Sequence, residues 1–208
     1  MSKTMVETPS VPNFGHNTST GISNAKLMMW LFLGSECLLF GALISTYLLY
    51  KNRVGETELA PGNLSGFEFD IPFTSASSFV LLMSSLTMVL ALSSIQRGNL
   101  QAFRTWTVTT AGLGAVFLGG QVYEFTVFYR EGLGYTTNIF TSAFYSLTGF
   151  HGAHVTIGIV MLMSLFIMSV QGKLGPERSE TVEIVGLYWH FVDIVWIFIF
   201  TVIYLFPQ

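Results

Sequence analysis

Apolar residues gather along the chain into five runs, 26–50, 75–95, 105–129, 138–170 and 183–205, separated by short polar or Gly/Pro-bearing stretches. About 20 apolar residues in a helix rising 1.5 Å per residue span the hydrocarbon of a bilayer. The runs therefore predict five transmembrane helices, the fourth long enough to need a tilt. Between the first and second runs lies the longest polar stretch, Gly55 to Pro72, whose Pro61-Gly62 pair and acids Glu56, Glu58, Glu68 and Asp70 suit a solvated loop. No proline falls inside a run and no internal repeat is visible. Residues 1–25 form a polar tail without the apolar core of a cleavable signal peptide. The expected fold is all-α: a polar tail, 1–25, and one polytopic membrane domain of five helices, 26–208.

Composition strengthens this reading. Hydrophobic residues make up 51% of the 208 and charged residues 10%, against about 25% charged in ordinary soluble domains. The net charge of -3 offers no basic stripe, so nucleic acid is not an expected partner. Cys37 stands alone, which excludes an internal disulfide and a metal site built on a cysteine pair of this chain. Placing the N-terminus inside puts Lys3, Lys26, Arg97, Arg104, Lys173 and Arg178 on the cytoplasmic side and Lys51, Arg53 and Arg130 outside. That bias favours an N-in, C-out topology.

Candidate chemistry lies in the few ionisable groups that the runs carry. Each costs roughly 2.5 to 3.5 kcal/mol at the centre of a membrane helix, so it is expected to face protein or a water path. In the fifth run the 14 Ile, Val, Leu and Phe residues between Ile184 and Leu205 outweigh Asp193. Glu36, His151, His154, His190 and Asp193 all fall near mid-depth. His151 and His154, like His190 and Asp193, are three residues apart and share a helix face. Three readings stay open for this layer: hydrogen bonds that join helices, a proton-handling or water-lined region, and metal ligation. Metal is the least favoured. Two histidines on one face of one helix cannot hold a haem from both sides, and the Glu-x-x-His pairs of dinuclear carboxylate sites are absent.

Two further acids look structural. Glu124, near the outer end of the third run beside Tyr123, Tyr129 and Arg130, is expected to anchor that end near interfacial water. Glu183, opening the fifth run, would meet the positive end of the helix dipole. Small residues recur every four positions at Ala111, Ala115 and Gly119, flanked by Gly112 and Gly120, and again at Gly149 with Ala153 and Gly41 with Ser45. They predict close helix packing. Trp30, Tyr50 and Tyr129 fall at interface depth.

Four blocks, in this order, resemble subunit III of the haem-copper terminal oxidases. They are Gly34-Ser35-Glu36-Cys37-Leu38-Leu39-Phe40, Tyr123-Glu124, Thr148-Gly149-Phe150-His151-Gly152-Ala153-His154-Val155, and Glu183 followed by Tyr188-Trp189-His190-Phe191-Val192-Asp193-Ile194-Val195-Trp196. The resemblance runs from about Lys26 to the C-terminus and is to the shorter, five-helix form. Gln121 stands where longer members often carry another acid.

The resemblance implies a subunit with no redox centre of its own, bound to subunit I, which holds the haem-copper centre, and to subunit II, in a bacterial plasma membrane rather than a mitochondrial inner membrane. It implies bound phospholipid, and an acid corresponding to Glu36 associated with proton uptake. The complex would be a proton-pumping cytochrome c oxidase in an aerobic respiratory chain, this subunit stabilising the catalytic one through turnover; a quinol oxidase is the alternative. A small transporter and a stand-alone membrane haem protein are the rivals from other classes. A transporter would favour broken helices at matching places in two halves, which five unbroken runs do not provide.

Overall fold

The computed structural model describes residues 22–51 and 71–205. Among them are five helices long and apolar enough to cross a membrane: α1 Asn24–Lys51, α2 Ile71–Gln96, α3 Leu100–Arg130, α4 Ile139–Val170 and α5 Ser179–Phe200. A single 3₁₀ turn, Pro176–Arg178, leads into α5, which runs on into a π-helical turn, Thr201–Leu205. Much of the predicted loop 55–72 and the tail 1–21 lie outside the described residues, as do Lys3, Arg53 and the final Pro207 and Gln208.

Helix ends follow local chemistry that apolar runs do not report. The helix α2 begins at Ile71, four residues before the predicted run, and so takes in Pro72. Proline is tolerated in a first turn because its missing N–H would be unpaired there anyway. The helices α2, α3 and α4 end alike: Gly98, Gly132 and Gly172 have positive φ, and the next residue's N–H reaches back to Ser94, Phe128 and Met168 respectively. This closure satisfies carbonyls left over at a helix terminus. Asn138 starts α4 with a reciprocal capping pair to Thr141.

The helices α2, α3 and α4 pack in chain order, α5 folds back against both α2 and α4, and α1 rests on α4 and α5. The centre is aromatic. Trp189, Trp196, Phe117 and Phe103 are among the largest fully buried side chains, and Phe117 meets Trp196 edge-on at 4.8 Å. Trp189 lies in a slot made by two glycines: a Cβ on Gly114 of α3 would stand 2.5 Å from its ring, and one on Gly158 of α4 2.7 Å. Most of the small residues picked out above are not what brings the helices together. Gly41, Gly112, Gly119 and Gly149 have open space where a Cβ would go; Gly120 alone of those glycines is close, to Ser77. Spacing along one helix cannot say which small residue faces a bulky partner.

A row of hydroxyls on α2 meets α5. The indole N–H of Trp196 donates to Ser78 at 2.8 Å, that of Trp189 to Ser84 at 2.9 Å, and Ser85 bonds His190 Nδ1 at 2.6 Å. In hydrocarbon, packing and interhelical hydrogen bonds of this kind associate helices, because lipid offers them no hydrophobic drive. At the other side of the bundle Arg104 donates to the Ser169 carbonyl at 2.6 Å and to its hydroxyl at 3.0 Å, tying α3 to the C-terminal turn of α4.

Candidate functional site

The seam between α1 and α4 holds the one close contact between a mid-span acid and an imidazole among the described residues. Glu36 Oε2 lies 3.1 Å from His154 Nε2, and both side chains are largely buried, at 15% and 12% exposure. His154 Nδ1 is 2.7 Å from the Phe150 carbonyl. A carbonyl oxygen only accepts, so Nδ1 carries a proton and Nε2 is the nitrogen that faces Glu36. A proton on Nε2 or on the carboxyl group would complete a hydrogen bond between the two. Tyr188 donates to the His154 carbonyl at 3.0 Å, fixing this turn of α4 against α5, and Phe40 closes the pair from α1 with its ring 5.1 Å from that of His154.

His151, three residues earlier on α4, does not join them. Its ring is fully buried, stacked on Trp196 at 4.9 Å and edged by Phe117 and Phe40. Neither of its nitrogens has a hydrogen-bond partner among the described residues. His190 and Asp193 belong to a different seam, between α5 and α2. His190 is bonded to Ser85, while Asp193, 3% exposed, lies beside the same Ser85 hydroxyl without a hydrogen bond of good geometry among the described residues. The five mid-depth groups are thus divided: an acid–imidazole pair at α1/α4, a caged imidazole behind it, and a Ser-His-Asp neighbourhood at α2/α5.

The two acids expected at helix ends sit differently from the sequence reading. Glu124 is 5% exposed and points into the bundle rather than at interfacial water. It accepts from Tyr204 at 2.7 Å, Thr74 at 3.1 Å and Gln121 at 3.3 Å. These donors come from α2, α3 and the π-helical turn after α5, so only the folded bundle assembles them. Glu183 is not at the start of α5, because that helix begins at Ser179. It lies in the second turn and pairs with Lys26 of α1 at 2.8 Å. The acid in the first turn is Glu180, which accepts from Ser23 just before α1. Together these contacts clasp the start of α1 to the start of α5.

Sequence reasoning missed Ser78, Ser84, Ser85 and Tyr204. The available signal was the hydroxyl-rich composition of α2, Thr74 to Thr87, in an otherwise apolar helix. Among the described residues, no group of three or more His, Cys, Asp or Glu is arranged to hold a metal ion.

Residues 7–208 match the protein family described as cytochrome c oxidase subunit III. The chain belongs to that family. It is 40% identical over 190 residues to quinol oxidase subunit 3 of Bacillus subtilis (strain 168), covering 91% of this chain and 90% of that one. It is 38% identical over 198 residues to cytochrome c oxidase subunit 3 of Bacillus sp. (strain PS3), covering 95% and 92%. To cytochrome c oxidase subunit 3 of Alkalihalophilus pseudofirmus (strain OF4) it is 40% identical over 185 residues, covering 88% and 86%. As subunit III of a haem-copper terminal oxidase, the chain is a multi-pass membrane protein and a non-catalytic member of a complex, with partner subunits.

Proposed function

We propose that this subunit serves a proton-pumping cytochrome c oxidase of a bacterial plasma membrane, where it binds subunits I and II and phospholipid, stabilises the catalytic subunit and supports proton uptake. The observation that carries the reading is the Glu36–His154 pair. A carboxyl and an imidazole that share one proton in a low-dielectric seam can exchange it with little change in net charge, which suits a group that gains and loses protons beside a conducting path. The N-in, C-out topology belongs to the same reading. It puts the Lys26–Glu183 clasp at the cytoplasmic face, with Arg97, Arg104, Lys173 and Arg178.

Replacing Glu36 with Gln in the assembled oxidase tests the role of the pair. Glutamine keeps a hydrogen bond to His154 but cannot release a proton, so the complex is expected to assemble normally, take up protons more slowly at high pH and lose activity in fewer turnovers. Unchanged uptake and inactivation kinetics would remove the proton-related role and leave the pair as a joint between helices.

A quinol-fed complex is the second reading, kept because the relatives divide between quinol oxidase and cytochrome c oxidase subunits at similar identity. The purified complex decides between the two: oxygen consumption driven by reduced cytochrome c supports the first, and consumption driven only by a quinol supports the second.

A further inference from the structure

Among the described residues the helix α5 is enclosed on three sides, by α2, α4 and α1, while α1 and α2 make little or no contact with each other. A furrow therefore runs along α5 between them. Its floor is the stripe Leu187, Phe191, Ile194 and Phe198, with Ile194 53% and Phe198 61% exposed. His190 lies on the α2 side of this floor, midway along the helix and only partly buried. Its bond to Ser85 uses Nδ1, and Nε2 has no partner among the described residues.

Mid-depth in a bilayer there is no water to satisfy such a nitrogen, and acyl chains have nothing to offer it. The other mid-span ionisable groups avoid that exposure: Glu36 and His154 turn to each other, and His151 and Asp193 are buried. Among the described residues, His190 alone presents an unmet ring nitrogen beside an open apolar groove. The Ser85 hydroxyl can donate to Nδ1 or accept from it; in either tautomer Nε2 is left calling for a polar partner, an acceptor if it carries the hydrogen and a donor if it does not.

We propose that the furrow between α1 and α2 receives a transmembrane helix of a partner subunit, which packs on Ile194 and Phe198 and presents a hydrogen-bonding side chain at mid-depth to Nε2 of His190. The apolar floor supplies packing and the imidazole supplies register, as a single polar contact does in other membrane helix pairs. This inference rests on the assembly with partner subunits described above. A chain that purified alone would sink that assembly; a complex that holds together through other faces sinks only the furrow.

The test places a photo-crosslinking benzoylphenylalanine at Ile194 in the complete oxidase in its membrane, with Val160 as control. Val160 is 60% exposed on α4, whose open side lies between α1 and α3. Adducts from Ile194 to another subunit of the complex, with lipid adducts from Val160, are expected. Lipid adducts alone from Ile194, or crosslinks to a second copy or within this chain, overturn the proposal.

A second measurement compares His190→Leu, His190→Gln and Ser85→Ala by the rate at which this chain leaves the detergent-solubilised complex. One interhelical hydrogen bond predicts about 3- to 20-fold faster loss for His190→Leu. His190→Gln keeps an amide near Nε2 that can donate or accept and should restore most of the retention, while Ser85→Ala, which breaks only the internal bond, should have little effect. Equal loss from Ser85→Ala and His190→Leu would assign the effect to the α2–α5 joint and overturn the proposal.

Discussion

Trp189 owes its place to two side chains that are not there. Any Cβ at Gly114 or Gly158 would fall inside van der Waals contact of the indole, and the ring, fully buried and bonded to Ser84, has nowhere to move. Overpacking of a filled core costs about 1 to 3 kcal/mol or more. Gly114→Ala and Gly158→Ala are therefore expected to lower the melting temperature of the purified complex clearly, whereas Gly119→Ala and Gly149→Ala, with open space at the Cβ, should leave the fold of the chain itself intact. Equal melting temperatures for the two sets would remove the slot as a packing determinant. The same contrast shows how little of the packing was legible: all four glycines are alike in sequence, and only the position of one tryptophan on α5 separates them.

At the scale of the helix, α2 and α5 are matched polar group to polar group. Trp196 and Trp189 are seven residues apart and find Ser78 and Ser84 six apart, so the two contacts stack along one antiparallel seam. Removing one acceptor leaves an indole N–H unmet where no water can replace it. Ser78→Ala and Ser84→Ala are each expected to destabilise by about 0.6 kcal/mol and at most about 1.7. Because the sites are well separated, the double variant should come close to the sum; chemical denaturation in detergent measures this. Strongly sub-additive losses would mean that the seam opens as a unit.

Helix ends taught a related lesson. The helix α5 begins four residues before its apolar run, because Ser179 to Val182 form its first turn at the membrane edge, where polarity is no obstacle to a helix. That shift converts Glu183 from a terminal charge into the partner of Lys26.

Across the whole molecule, α1 is the least enclosed helix, and among the described residues it rests mainly on α4 and α5. Its start is clasped by Lys26–Glu183 and Ser23–Glu180, its middle by Glu36–His154, and further along Tyr47 packs on Phe140 of α4. Reversing one charge of the partly exposed clasp, Lys26→Glu, should loosen the start of α1 by no more than about 1 kcal/mol. The exchange Lys26→Glu with Glu183→Lys should restore it. Hydrogen exchange over residues 24–30 reads both, and a double variant as labile as the single would show that the pair is not what holds this end.

Five membrane helices, their approximate limits and the identity of the mid-depth ionisable groups followed from the sequence alone, because hydrocarbon thickness imposes a run length and each charge in such a run is conspicuous by its cost. The family was legible for the same reason, since its blocks are those rare polar residues in their apolar frames. Partnership was not. Which imidazole meets Glu36, whether Glu124 looks outward or inward, and which glycine receives Trp189 depend on helix rotation and on neighbours from other helices, distant along the chain. A helix that is apolar nearly all round carries no amphipathic stripe to announce its inner face, so those choices were made only when five such helices packed together.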